Sequence, residues 1–70
     1  MKYAVLFDPA GDGTWGAVVP DLPGCMSAGK TLDEARDSVK EAIVLWIDVA
    51  RERGERIPPP ASIADNIDIA

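Results

Sequence analysis

The side chains able to do chemistry in this sequence are carboxylates and one thiol. Asp8, Asp12 and Asp21 fall near strand ends or in loops, where carboxylates can converge on a divalent cation. Their spacing resembles no metal loop, and Asp is in any case a favoured turn residue. Cys25 follows Gly24 at a loop-to-strand position. A catalytic thiol needs a base or a cationic neighbour to form thiolate, and the sequence has no His. A packed structural cysteine is the plainer expectation. Gly11-Asp12-Gly13-Thr14-Trp15-Gly16 has the glycine content of a phosphate cradle but lacks the Lys and the following helix that such a loop uses. Gly16, inside a strand, points to a bulge or a close backbone approach. Trp15 and Trp46 fit a core or an interface anchor.

Composition removes most other chemistry. One Cys and no His exclude an internal disulfide, zinc fingers and imidazole-based catalysis. With 12 Asp and Glu against 7 Lys and Arg, the net charge is -5. That balance argues against a nucleic-acid-binding face and, beyond simple solvation, suits a basic protein partner. No apolar run approaches the ~20 residues that span a bilayer, and the apolar start ends at Asp8 and Pro9, too early for a signal peptide. The expectation is a soluble cytoplasmic protein with no membrane contact and no cofactor. The 70 residues read as a single domain, 1–70. A chain this short buries only about 60% of its unfolded surface, and its stability is of the order of 3–10 kcal/mol. Oligomerisation or a partner is the natural reinforcement.

The elements that must position these groups follow from pattern. Residues 2–7 alternate as a strand, with Tyr3, Val5 and Phe7 on one face and Ala4 and Leu6 on the other; both faces are apolar, so cover on both sides is expected. The cluster Asp8-Pro9-Ala10-Gly11-Asp12-Gly13 turns the chain into a second strand, 14–19. Pro20-Asp21-Leu22-Pro23-Gly24 breaks it, and 25–30 forms a short third strand with Met26 and Ala28 on one face. Thr31-Leu32-Asp33-Glu34 is a capping box, Gly54 a helix stop. Between them Leu32, Ala35, Val39, Ala42, Ile43, Trp46 and Ala50 make one apolar helical stripe. Val44 and Leu45 flank the face that should be wet; with Ile47 they are the expected oligomer interface, against the plain alternative of isolated exposed apolar residues. After the stiff Pro58-Pro59-Pro60 connector, Ile63, Ile67 and Ile69 share a parity, and residues 61–70 are expected to hold a last strand. The order is β-β-β-α-β, an α+β fold with one long helix packed on a small antiparallel sheet.

Taken together, the turn Gly11-Asp12-Gly13-Thr14-Trp15, the loop Pro20-Asp21-Leu22-Pro23-Gly24-Cys25, the helix start Gly29-Lys30-Thr31-Leu32-Asp33-Glu34-Ala35 and the exit Gly54-Glu55-Arg56-Ile57-Pro58-Pro59-Pro60 resemble the HicB-like antitoxins. The resemblance runs over residues 1–62. It implies a partial RNase H-like fold and the role of antitoxin in a type II toxin–antitoxin pair. The partner it implies is a HicA-like toxin, a small basic ribonuclease that cleaves mRNA, neutralised by direct binding. The expected partner contacts are Asp12, Trp15, Asp21 and Leu22. Many members of the family continue into a DNA-binding domain; this sequence ends at Ala70 without one, so direct nucleic-acid binding is not expected of it.

Two rival readings stand beside the antitoxin. One is an orphan HicB-like domain that binds a small ligand or regulates. The other is a metal-dependent nuclease, for which Asp8 and Asp21 supply at most two of the carboxylates that a two-metal site requires.

Overall fold

The computed structural model describes residues 1–70. Three strands, β1 (Leu6–Pro9), β2 (Trp15–Val18) and β3 (Met26–Gly29), precede one helix, α1 (Leu32–Glu52). The sheet is antiparallel in the order β1-β2-β3, and α1 packs on one face of it. Leu6, Val18 and Met26 stand in one cross-strand row, and Phe7, Ala17 and Ser27 in the next. Because side chains alternate across a pleated strand, these rows point to opposite faces. Ala17 is buried and Phe7 packs against the core, whereas Leu6, Val18 and Met26 are exposed. The expectation that the first strand is covered on both sides is therefore corrected: a single helix covers a single face.

The first strand also sits further along than the alternation predicts. The ladder runs from Leu6↔Val18 to Pro9↔Trp15. Beyond Leu6 there is no partner, because β2 ends at Val18 and the chain turns at Pro20. Tyr3 and Val5 still pack against the core, so their apolar parity is used without a ladder. Gly16 pairs in regular register with Asp8 and Ala28 and forms no bulge. The close approach belongs to Gly29, where a Cβ would lie 2.7 Å from the Glu34 carbonyl carbon and 2.9 Å from Ala35 Cα.

The helix is bounded as its sequence dictates. The Thr31 side chain accepts a hydrogen bond from Glu34 N at 3.1 Å, the N-cap half of the expected box. At the far end Gly54 takes φ +67°. Gly54 N donates to Arg51 O at 3.1 Å and Glu55 N to Ala50 O at 2.9 Å, the pair of bonds that defines a Schellman stop. The inward stripe is as predicted: Ala35, Val39 and Ala50 are buried, and Ala42, Ile43 and Trp46 pack against the core. That core is Ala17, Val19, Leu22, Cys25 and Val39.

The last strand expected over residues 61–70 does not form. The segment carries no secondary structure and all ten of its residues are exposed. Apart from the amides of Ala61 and Ser62, which donate to Asp21, no backbone group of this segment bonds to the body of the chain, and a strand forms only where its backbone groups pair with a neighbour.

Candidate protein-interaction site

The signature loops are built first of all to turn the chain. In the β1–β2 hairpin, Asp12 Oδ1 accepts hydrogen bonds from Thr14 N at 3.0 Å and from the Thr14 hydroxyl. These bonds hold the Asp12 carboxyl below its usual value, the hydroxyl contributing most. Gly11 and Gly13 sit at φ +84° and +91°, conformations that glycine adopts without strain. The glycine-rich stretch is thus a hairpin turn. Trp15 opens β2, half-buried, between Pro9 and Gly29.

Residues 20–24 form two linked turns. Leu22 N donates to Val19 O at 3.2 Å, Cys25 N to Leu22 O at 3.0 Å, and Val19 N to Cys25 O at 3.0 Å. The result drives Leu22 inward until it is 0% exposed. The expectation that Leu22 contacts a partner is overturned: its side chain is a core plug. Cys25 is buried beside it, and burial pushes its thiol up, away from thiolate.

Asp21 is occupied in a way the sequence did not disclose. One of its oxygens accepts from Ala61 N and Ser62 N, each at 2.8 Å, and the other from the Ser62 hydroxyl at 2.7 Å. The Ala61 amide is the largest cause holding the carboxyl below its ordinary value. Asp8, Asp12 and Asp21 belong to no cluster of three metal-ligating side chains.

The outer side of α1 carries an uncovered patch. Two rows at helical i, i+4 spacing, Asp37–Glu41–Leu45 and Lys40–Val44–Asp48, line a shallow depression of about 600 Å³. Val44 is 54% and Leu45 64% exposed. Three carboxylates and one ammonium therefore rim two uncovered aliphatic side chains. Ile47, expected in the same patch, is half-buried and lies outside this depression. Around the corner from Leu45, a second and larger groove of about 680 Å³ runs between the entry to β3 and the last turns of α1, lined among others by Cys25, Met26, Trp46, Val49 and Arg53. Trp46 is fixed in it by donating from Nε1 to Pro23 O at 3.0 Å. Asp37, Glu41 and Asp48 fall on the side of the helix that its apolar stripe leaves to solvent. Their spacing around Val44 and Leu45 was the available sign that they frame something.

Comparison with known proteins gives a consistent result. A family model described as "HicB_like antitoxin of bacterial toxin-antitoxin system" matches residues 3–69. A UPF0150 protein of Archaeoglobus fulgidus is 44% identical over 59 residues, covering 81% of this chain and 86% of that one. Antitoxin HicB of Escherichia coli is 32% identical over 63 residues, which is 90% of this chain but 46% of that protein. The solved N-terminal domain of the Burkholderia pseudomallei antitoxin HicB superposes with a TM-score of 0.75 at 30% identity, over 89% of this chain and 73% of that one. No helix here is long and apolar enough to cross a membrane.

Proposed function

Since the chain belongs to the HicB-like antitoxins of toxin–antitoxin systems, a family of antitoxins rather than enzymes, we propose that it neutralises a HicA-like toxin by covering that toxin's RNA-facing surface. An mRNA-cleaving ribonuclease presents positive charge to phosphates. A protein that competes with RNA for that surface does best with carboxylates around an apolar centre: the charges steer the encounter, and the apolar side chains hold the docked state. The outer side of α1 has this composition, and the whole chain carries a net charge of -5.

The single observation that supports the reading most is the exposure of Val44 and Leu45 inside the frame of Asp37, Glu41 and Asp48. On this reading Asp12 and Asp21 serve the fold, and partner contact moves from the signature loops to the helix. Both proteins would meet in the cytoplasm, where mRNA is. The test is co-expression with the small protein encoded beside this one. Rescue of growth and co-purification are expected, with Asp37→Lys plus Glu41→Lys losing both while the protein stays folded. A toxic neighbour that kills in the presence of this chain and does not co-purify would sink the reading.

A further inference from the structure

Three isoleucines lie stranded on the last ten residues. Ile63 is 92%, Ile67 75% and Ile69 88% exposed. A solvent-exposed isoleucine is ordinary; three on one extended arm, two of them at i, i+2 spacing, make the apolar edge of a strand. The arm does not drift from a loose root. Asp21 grips Ala61 N and Ser62 N at 2.8 Å, and the Tyr3 hydroxyl donates to Pro58 O at 2.6 Å just before. Beyond that grip, eight extended residues reach about 26 Å. The radius of gyration is 13.3 Å, against about 11 Å for a compact chain of this length.

The same molecule carries an unfilled receptor for such an arm. β3 is an edge of the sheet, so one side of its backbone has no ladder partner. The other edge strand, β1, ends in Pro9, a residue that lacks an amide and guards an edge against pairing; β3 has no such guard. Alongside the entry to β3 runs the apolar groove of Met26, Trp46 and Val49. Its rim holds Arg53, whose side chain is 68% exposed and only loosely paired with Glu55 at 4.0 Å. Glu55 lines the same groove, and the arm brings Asp65 and Asp68 between its isoleucines, so a carboxylate of the arm can take the place of Glu55 beside Arg53 while the isoleucines meet the apolar lining.

From these features we infer that two copies of this chain exchange their C-terminal arms, the isoleucine edge of each lying in the β3–α1 groove of the other. A reciprocal exchange is self-complementary and closes at two copies. It adds an extended segment to a free sheet edge, with alternate side chains entering pockets. It completes in a neighbour the strand that the arm's sequence encodes and its own body does not accept. The inference is independent of the toxin reading, since it concerns the isolated chain.

Light scattering and sedimentation of the 70-residue chain test it. The mass is expected to be twice 7.5 kDa, falling to one copy in Ile67→Asp plus Ile69→Asp with the helical circular dichroism unchanged, because those side chains pack on nothing in their own copy. Arg53→Glu is expected to weaken the dimer by about fivefold, and Asp65→Arg plus Asp68→Arg in the same chain to restore it. In a Trp15→Phe background, Trp46 emission should shift with dissociation. A chain that stays single at every concentration overturns the inference. So does a dimer indifferent to the isoleucine changes, or one whose response to Arg53→Glu is absent or not rescued. A single copy whose Trp46 emission responds to the arm variant would mean docking in its own groove, which equally overturns the exchange.

Discussion

Asp21 and Ser62, 41 positions apart in the chain, are joined twice: the carboxylate accepts from the Ser62 amide at 2.8 Å and from its hydroxyl at 2.7 Å. A loop residue thereby fixes where the C-terminal arm leaves the body. The bond set, led by the Ala61 amide, holds the Asp21 carboxyl below its ordinary value. A carboxyl whose folded value lies under its unfolded one stabilises the fold fully above the unfolded value, and that contribution is lost as pH falls through the folded value. The arm's attachment should therefore hold from neutrality down to about pH 4 and loosen below it. NMR shifts of the Ala61 and Ser62 amides, followed through acid titration, check this; amides that stay put while Asp21 protonates would contradict it. Asp21→Asn should leave the arm loosened at neutral pH.

Leu22→Ala empties the centre of the core. A fully buried leucine replaced by alanine costs about 2–5 kcal/mol, against a total of about 3–10 kcal/mol for a chain of this size. Urea unfolding should show a large loss of stability, with partial unfolding before any denaturant is added. A loss under about 1 kcal/mol would mean that the two linked turns, rather than the side chain they bury, stabilise this region.

Gly29→Ala and Gly16→Ala should behave oppositely. A Cβ at Gly29 meets the backbone of Glu34 and Ala35 at 2.7–2.9 Å, and backbone cannot swing aside, so strand and helix must separate. At Gly16 the nearest atom is Asp8 O at 3.9 Å, an ordinary contact. Thermal melts should show Gly29→Ala clearly destabilised and Gly16→Ala within about 1 kcal/mol of the parent.

Charge on the outer side of α1 should act on the rate of toxin capture. Asp37→Lys plus Glu41→Lys is expected to slow association with a basic toxin by about tenfold at low salt, with the difference shrinking as salt rises. Stopped-flow mixing across a salt series measures it. An unchanged association rate would move the docking surface elsewhere.

The helix was legible almost residue by residue, because its cap, its stop and its 3.6-residue stripe are local features written in consecutive positions. The hairpin turn and the buried cysteine were legible for the same reason. The strands were placed less well. A strand's extent depends on its neighbour, and the early end of β2 at Pro20 strips Tyr3 and Val5 of the ladder that their alternation suggests. Leu22 was misread because a short loop of prolines and glycine looks like surface, whereas its paired turns point one side chain inward. The role of Gly29 was not legible, since nothing in its flanking residues reports that a helix backbone lies against it. The family itself was readable, because the four motifs occur in order and at the right spacing. The clamp on Ser62 was not, because it links segments that only the folded chain brings together.

The strand order follows the chain order, β1 to β2 to β3, with α1 next. Each element therefore meets the one synthesised just before it, and the loops to be closed are short. Topologies dominated by such near-neighbour contacts assemble quickly. The bonds from Tyr3 to Pro58 and from Asp21 to Ser62 are the long closures, and both wait for the final stretch to be made. A nascent copy should thus have its sheet and helix organised before residues 58–62 are made. Those residues then close last, onto a body already formed.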